Sequence, residues 1–329
     1  AEIGQNHNGQ IGMARRLIDM AADCGCDAVK FQKRDVEWEL TRDAYNRPYT
    51  TENSFGETYG LHREFLELTE QQHRELRDYA LSRGLIYFCT ACDPPSVEAM
   101  DRIGNPLFKI ASRDITNIPL LERIRATGKP VVISTGMASM DEIGDALRVF
   151  EGTSTGCLIT HCVSQYPTDL ENVNLRAMRS IAEQFSCEVG LSDHTTGIVT
   201  CVAAAALGAS FIEKHVTLSR AMPGTDHAAA LEKNELRQLV QDIRAVELAM
   251  GDGTKSFLPL VTAAKNKLSR SLTSKTFIPA GTLLSEEHLI LKSPGVGISW
   301  KRRDEILGCR VQSDIPKDTT LTRQMFELC

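Results

Sequence analysis

The sequence predicts an α/β fold, a (β/α)8 TIM barrel followed by a small β-rich domain. Three observations carry this prediction. Strand-like and helix-like segments alternate as far as Gly251, the pattern of a parallel sheet covered by helices. The pattern then breaks at Asp-Gly-Thr-Lys-Ser-Phe-Leu-Pro259 and gives way to short β-like runs. Finally, the 329 residues leave room for one barrel of roughly 250 residues and one module beside it.

Eight segments read as strands: 1–3, 28–32, 85–89, 107–110, 131–134, 157–161, 188–191 and 211–215. Helical patterns lie between and after them at 13–22, 71–82, 140–150, 175–185 and 236–250. The last places Leu236, Leu239, Val240, Ile243 and Val246 on one face and stops at Gly251, as an amphipathic helix with a glycine C-cap does. The connection from Lys33 to Thr69, with its aromatics, Pro48, Asn53 and two glycines, exceeds the usual loop length. A lid or substrate-recognition loop at the barrel mouth is expected there. Domain boundaries fall at 1–256 for the barrel, 257–268 for a linker and 269–329 for the β-rich domain. Within that domain 271–277 and 309–313 look β-like, and Ile278-Pro-Ala-Gly-Thr-Leu-Leu nearly repeats as Ile315-Pro-Lys-Asp-Thr-Thr-Leu. A module of roughly 60 residues has little core of its own and is expected to dock on a larger body.

Lys and Arg number 37 against 43 Asp and Glu, a formal charge of −6, which excludes nonspecific nucleic-acid or membrane-surface binding as the main activity. An anionic substrate then needs local lysines. Ten irregularly spaced cysteines read as buried thiols rather than a disulfide framework, and point to the cytoplasm. Cys89-Thr-Ala-Cys92 has no second pair to complete a zinc ribbon. No apolar run reaches the roughly 18 residues of a spanning helix, and no signal peptide is visible. The sequence opens at Ala1 inside a strand, so upstream residues beginning with Met are expected.

In a TIM barrel the residues at the C-terminal strand ends converge on one mouth. Here those ends deliver Glu2, Lys30 and Gln32, Thr90, Lys109 and Ser112, Ser134, Ser164 and Tyr166, Ser192 and His194, and Glu213 and His215. Two imidazoles at one mouth can share a divalent cation and leave positions open for substrate, while two lysines among hydroxyls suit a phosphate or carboxylate. Core histidines and strand-capping lysines are the bland alternative for any one of them. Convergence from eight strands argues against it.

The motifs Ala-Glu2-Ile-Gly-Gln-Asn-His-Asn-Gly9, Val-Lys30-Phe-Gln32, Phe-Lys109-Ile-Ala-Ser112, Ile-Ser134-Thr-Gly-Met137, Leu-Ser192-Asp-His194 and Glu213-Lys-His215 resemble the sialic acid synthase family. Its members condense phosphoenolpyruvate with an N-acylmannosamine. The likeness runs in order over the whole chain, and the C-terminal piece resembles the family's antifreeze-like (SAF) domain. The stretch Asn46-Arg-Pro-Tyr-Thr50 through Phe55-Gly-Glu-Thr-Tyr-Gly60 is similar to the animal branch, which uses a mannosamine 6-phosphate, more than to the bacterial branch, which uses free N-acetylmannosamine.

The resemblance implies phosphoenolpyruvate contacts at Lys30, Thr90, Lys109, Ser112, Ser134, Ser164 and Ser192, with Ser164 standing where bacterial members have Asn. It implies His194 and His215 as ligands of Mn²⁺ or Mg²⁺, and acceptor-sugar contacts at Gln32, Asn53, Tyr166 and Asp226. Asp114 stands where the bacterial branch has a Glu assigned to the water proton, and Glu2 is the other carboxylate for that role. It also implies a domain-swapped homodimer, in which bacterial members reach the acyl group with an Arg of the partner's SAF domain. In Lys292-Ser-Pro-Gly-Val-Gly297 that position is Ser293. Three other readings stand beside this one. A metal-dependent hydrolase normally shows His-x-His after its first strand, where this chain has Gln5-Asn6-His7. A non-catalytic carbohydrate-binding barrel has no use for both histidines, both lysines and the carboxylates. Among enzymes the runner-up is a synthase for another acceptor, such as a diacylated hexose or a mannose derivative.

Overall fold

A computed structural model describes residues 1–153 and 156–327, which form two compact units, Ala1–Gly251 and the residues from Asp252 on. In the first, β1 (Glu2–Gly4), β2 (Ala28–Lys33), β3 (Ile86–Ala91), β4 (Phe108–Ile110), β5 (Val131–Ser134), β6 (Cys157–Cys162), β7 (Val189–Asp193) and β8 (Ile212–Lys214) pair in chain order as one parallel sheet. A parallel bridge between Glu2 and His215 brings the end of β8 back to β1 and closes the barrel.

Local chemistry sets where the outer helices start and stop. Helix Ile11–Cys24 ends at Gly25, whose φ of 81° is the left-handed conformation that glycine adopts without strain. Helices Glu70–Ser82 and Met140–Phe150 open on capping boxes, Thr69 with Gln72 and Ser139 with Glu142. Helix Pro94–Arg102 begins with two prolines after Asp93, whose carboxylate accepts from the Ser96 amide at 2.7 Å. Leu17, Ile18, Leu76, Met100 and Leu121 of these and the following helix pack on Val29, Phe31, Phe108 and Ile133 of the strands to make the main core.

The long connection after β2 is not a structureless loop. It folds into helices Val36–Glu39, Arg42–Asn46 and Tyr59–Leu66, started by Asp35, Thr41 and Thr58, with a bridge between Pro48 and Thr58. These caps are single hydroxyl or carboxylate residues without a long periodic run behind them, so the sequence pattern shows no helix there.

In the second unit, β9 (Ser271–Ser274) pairs antiparallel with β10 (Leu289–Lys292). The β-like run at 309–313 forms only bridges, Leu283 with Arg310 and Val311 with Phe326. The two near repeats pair with each other: Ile278 and Ile315 exchange amide hydrogen bonds of 2.9 Å both ways. Their apolar residues join Leu272, Leu284, Leu289 and Leu321 in a separate small core. The expected linker at 257–268 carries a helix, Thr262–Leu268. Among the described residues the eight cysteines of the barrel unit are free thiols, as the sequence predicts for them. Among the described residues no helix is long and apolar enough to cross a membrane.

Candidate active site

Strand alternation aims the chemistry inward. On β2, Val29 and Phe31 face the helices while Lys30 and Gln32 face the barrel axis, and β4 does the same with Lys109 between Phe108 and Ile110. β8 and the residue after it present Glu213 and His215 to the interior. A cavity of about 510 Å³ opens at this C-terminal mouth.

Its floor is a network of buried charge. Glu213 sits between the lysines, 3.8 Å from Lys30 Nζ and 3.5 Å from Lys109 Nζ, and accepts from Ser192 Oγ at 3.0 Å. Lys30 also lies 2.8 Å from Glu2 Oε2 and donates to Thr90 Oγ1 at 3.1 Å. Lys109 donates to Ser134 Oγ at 2.5 Å, and Ser134 shares a 2.7 Å hydrogen bond with Thr160. Burial pushes the Glu213 carboxyl up, but Lys109 and then Lys30 outweigh it and hold the group ionised, well below its ordinary value. Burial works against the charge of Lys30 too; Glu2 and Glu213 reverse that and raise its pKa. At Lys109 burial prevails and the pKa falls, only partly offset by Glu213.

The hydroxyl wall depends on Gly136. A Cβ there would meet Ser164 Oγ at 2.5 Å, Cys162 Sγ at 2.9 Å and Ser112 Oγ at 3.0 Å, so only glycine lets these three side chains converge. The Gly136 amide donates to Ser112 Oγ at 2.9 Å.

The two imidazoles stand opposite, ring centroids 5.6 Å apart, with the Tyr166 ring 4.0 Å from His194. His194 Nδ1 donates to the Val163 carbonyl at 2.9 Å, which fixes the tautomer and leaves Nε2 with its lone pair. Burial, helped by His215, lowers its pKa to about 4, so the ring is neutral at physiological pH. His215 Nδ1 is buried and has no hydrogen-bond partner. A neutral, oriented imidazole beside one with an orphaned nitrogen fits a divalent cation with open coordination positions. Among the described residues no third His, Cys, Asp or Glu completes a closed cluster.

Fourteen of the fifteen residues expected at the site line this cavity, Gln32, Asn53 and Asp226 among them. Gln32 donates to Glu2 Oε1 at 2.9 Å, and Asn53 Oδ1 accepts from the Gly224 amide at 2.9 Å, tying the excursion after β2 to the segment that bears Asp226. Asp114 is the exception. It does not line the cavity; it follows Ser112 in a 3-10 turn and pairs with Arg113 at 3.4 Å, while burial raises its pKa. The cavity also takes in Gln5, Arg63, Arg113, Met137, Cys162 and Thr225, which the strand-end rule does not reach. Arg113 is a neighbour of Ser112, and that adjacency was its one signal; Arg63 comes from a helix that the pattern does not reveal.

The NeuB family profile matches residues 17–255, and the SAF domain profile matches 269–327. The chain belongs to the NeuB family. Human N-acetylneuraminate-9-phosphate synthase is 39% identical over 99% of this chain and 92% of its own length. The N,N'-diacetyllegionaminic acid synthase of Campylobacter jejuni is also 39% identical, over 98% of each chain. Among solved structures, the N-acetylneuraminic acid synthetase of Leptospira borgpetersenii in complex with citrate superposes with a TM-score of 0.71 at 32% identity, covering 80% of this chain and 88% of its own. As a member of this family the protein is a transferase of the sialic acid synthase type.

Proposed function

We propose that the protein condenses phosphoenolpyruvate with an N-acylmannosamine, free or 6-phosphorylated, to give a nonulosonic acid or its 9-phosphate and inorganic phosphate. The floor of the cavity carries this reading: two buried lysines flank one carboxylate and are ringed by Thr90, Ser134 and Ser192. A small polyanion that displaces part of the Glu213 interaction gains both cations in a water-poor setting, where charge-assisted hydrogen bonds are strongest.

Lys30 and Lys109 hold the carboxylate and phosphate of phosphoenolpyruvate, and the hydroxyls of Ser112, Ser164 and Ser192 accept or donate around it. His194 and His215 would hold Mn²⁺ or Mg²⁺, which when bound supplies Lewis-acid polarisation of the acceptor's aldehyde oxygen. Gln32, Asn53, Tyr166 and Asp226 orient the acceptor so that its aldehyde carbon faces C3 of phosphoenolpyruvate. The C3–C1 bond forms, the aldehyde oxygen gains a proton and becomes a hydroxyl, and C2 becomes electron-poor. Water adds at C2. Glu2, at the floor beside Lys30, takes the proton that water releases; Asp114, turned toward Arg113, is the weaker choice. The C2–O bond to phosphate then breaks as the new C2 hydroxyl gives up its proton to the departing phosphate, leaving a ketone at C2 and free inorganic phosphate.

A diacylated hexose acceptor has its own support in the Campylobacter relative. The test is phosphate release from phosphoenolpyruvate across a panel of hexoses, hexosamines, diacylated hexosamines and their 6-phosphates. Release is expected to require an N-acylated mannose-type acceptor, to vanish with EDTA and to return with Mn²⁺ or Mg²⁺. Full activity in the chelated enzyme would remove the metal role, and phosphate release with none of the panel would overturn the condensation.

A further inference from the structure

Two arginines on the wall of this cavity, Arg63 and Arg113, have no part in the chemistry above. Arg63 donates to Gln5 Oε1 at 3.1 Å, its guanidinium lies 5.3 Å from the Tyr59 ring centroid, and its Nε is buried without a hydrogen-bond partner. Arg113 reaches Glu39 Oε1 at 3.0 Å, the same oxygen that Arg63 approaches at 3.8 Å. The buried Arg34 takes the other oxygen of Glu39 at 3.5 Å. Counted with Lys33, four cations stand here against three carboxylates, Glu39, Glu67 and Asp114. Among these ion pairs the cations outnumber the carboxylates by one, and Arg63 is the guanidinium with the longest carboxylate contact, 3.8 Å. Burial, and after it the neighbouring Arg34, lowers the pKa of Arg63, and the distant Glu39 only partly offsets them.

Depth assigns this wall to one end of the substrate. The acceptor's aldehyde must reach the floor, where the Lys30 and Lys109 side chains are only 5% and 3% exposed, whereas those of Arg63 and Arg113 are 11% and 35% exposed, so the wall runs from Arg63 out to Arg113 at the mouth. In an open-chain hexose the group farthest from the aldehyde is C6. We infer that the acceptor bears a phosphomonoester at that far end and that Arg63 and Arg113 clamp it. The phosphate oxygens accept from the unpartnered Arg63 Nε and share Arg113 with Glu39, a match that the planar guanidinium makes better than an ammonium. This inference rests on the proposed condensation and selects between its two acceptor classes.

The test compares N-acetylmannosamine with N-acetylmannosamine 6-phosphate as acceptors for the full chain with phosphoenolpyruvate and Mn²⁺, with products read by mass spectrometry. The 6-phosphate is expected to have a kcat/KM about 100-fold higher, and Arg113→Met to cut that ratio about tenfold or more. Arg63→Met is expected to do the same, with Arg63→Lys, which keeps the charge and the packing on Tyr59, losing less. A wild-type ratio at or below one, or variants that lose the same factor on both acceptors, overturns the clamp and leaves the condensation standing. Phosphate release with neither of these acceptors but with another of the panel also overturns it. Release with no acceptor at all defeats the condensation and the clamp with it.

Discussion

Strands β7 and β8 carry two buried charge clusters on opposite faces, and the two are finished differently. On the outer face, Asp193 and Lys214 pair at 2.5 Å; Lys214 also donates to the Thr195 carbonyl, and Asp193 accepts from the Thr195 amide and from the hydroxyls of Thr195 and Thr200 at 2.8–3.1 Å. Burial alone would raise the Asp193 pKa, but Lys214 and these donors lower it. One residue along on each strand, Ser192, Glu213 and then His215 face the interior, where Glu2 and Glu213 pair with lysines that themselves line the cavity and His215 Nδ1 is buried without a hydrogen-bond partner. An orphaned buried polar atom costs about 1–3 kcal/mol. The outer cluster closes on itself and holds the barrel wall to its helices. The inner one is left open on the side of the cavity, which is what a site completed by a ligand requires.

The largest effect expected from this contrast is on stability. Lys214→Met strands the Asp193 carboxylate in the wall and should cost about 3–5 kcal/mol in denaturant unfolding. The double variant Asp193→Leu/Lys214→Met should recover much of that loss, because it removes the unpaired charge as well. A single variant that loses less than about 1 kcal/mol would show that water reaches Asp193, and the two faces would then not differ in kind.

On the inner face the same kind of change should be read in turnover. Lys30→Met or Lys109→Met should lower kcat/KM for phosphoenolpyruvate by about 10²–10³-fold, with a larger rise in its KM than in that of the sugar. The stability loss should be smaller than at Lys214, since Glu2 and Glu213 border a cavity that water can enter. Equal stability losses at Lys30 and Lys214, with substrate constants changing together, would erase the distinction between the faces.

Much of this was legible in the sequence because the barrel repeats one rule. Each strand is a short apolar run that turns polar at its C-terminal end, and at most of these ends the polar side chain faces the mouth, so Lys30, Lys109, Glu213 and the two histidines stand out against Val29, Phe108 and Ile110, while Asp193 and Lys214 are the pair that faces outward. All eight strands fall within a few residues of their expected places. What the rule could not show is what arrives from elsewhere. Arg63 reaches the cavity from a capped eight-residue helix inside a stretch that reads as loop, and Gly136 matters for a contact among three side chains from different strands. Asp114 is the converse case: it occupies the expected place in the chain but does not line the cavity, and its carboxylate pairs with the neighbouring Arg113, which does. In the second unit the near repeat was visible, yet its pairing partner was not, because two short segments of the same form can pair with each other or with a neighbour at little difference in pattern.

The smallest predicted effect belongs to two more buried groups on the outer, structural side. His73 shares a 2.6 Å hydrogen bond between Nδ1 and the Tyr87 hydroxyl, and its Nε2 has no partner, so a second proton would be buried with nothing to receive it. Burial, and then the nearby Lys33, lowers its pKa to about 3; burial followed by Arg34 lowers that of His7 to about 4. The unfolded chain titrates these rings near 6.5, so between that value and about 4 it binds protons that the folded state refuses. Their stabilisation is therefore complete above pH 6.5 and declines as the pH falls through this window. Lowering the pH from 7.5 to 5.5 should remove about 1 kcal/mol for each histidine. Replacing both hydrogen-bonding partners at once, His73→Phe/Tyr87→Phe, keeps the ring packing against Phe31 and should remove the roughly 1 kcal/mol that His73 adds to the acid loss while changing stability at pH 7.5 far less than a single truncation. An unchanged slope in that double variant would assign the acid sensitivity to groups other than His73 and leave its burial without a role in it.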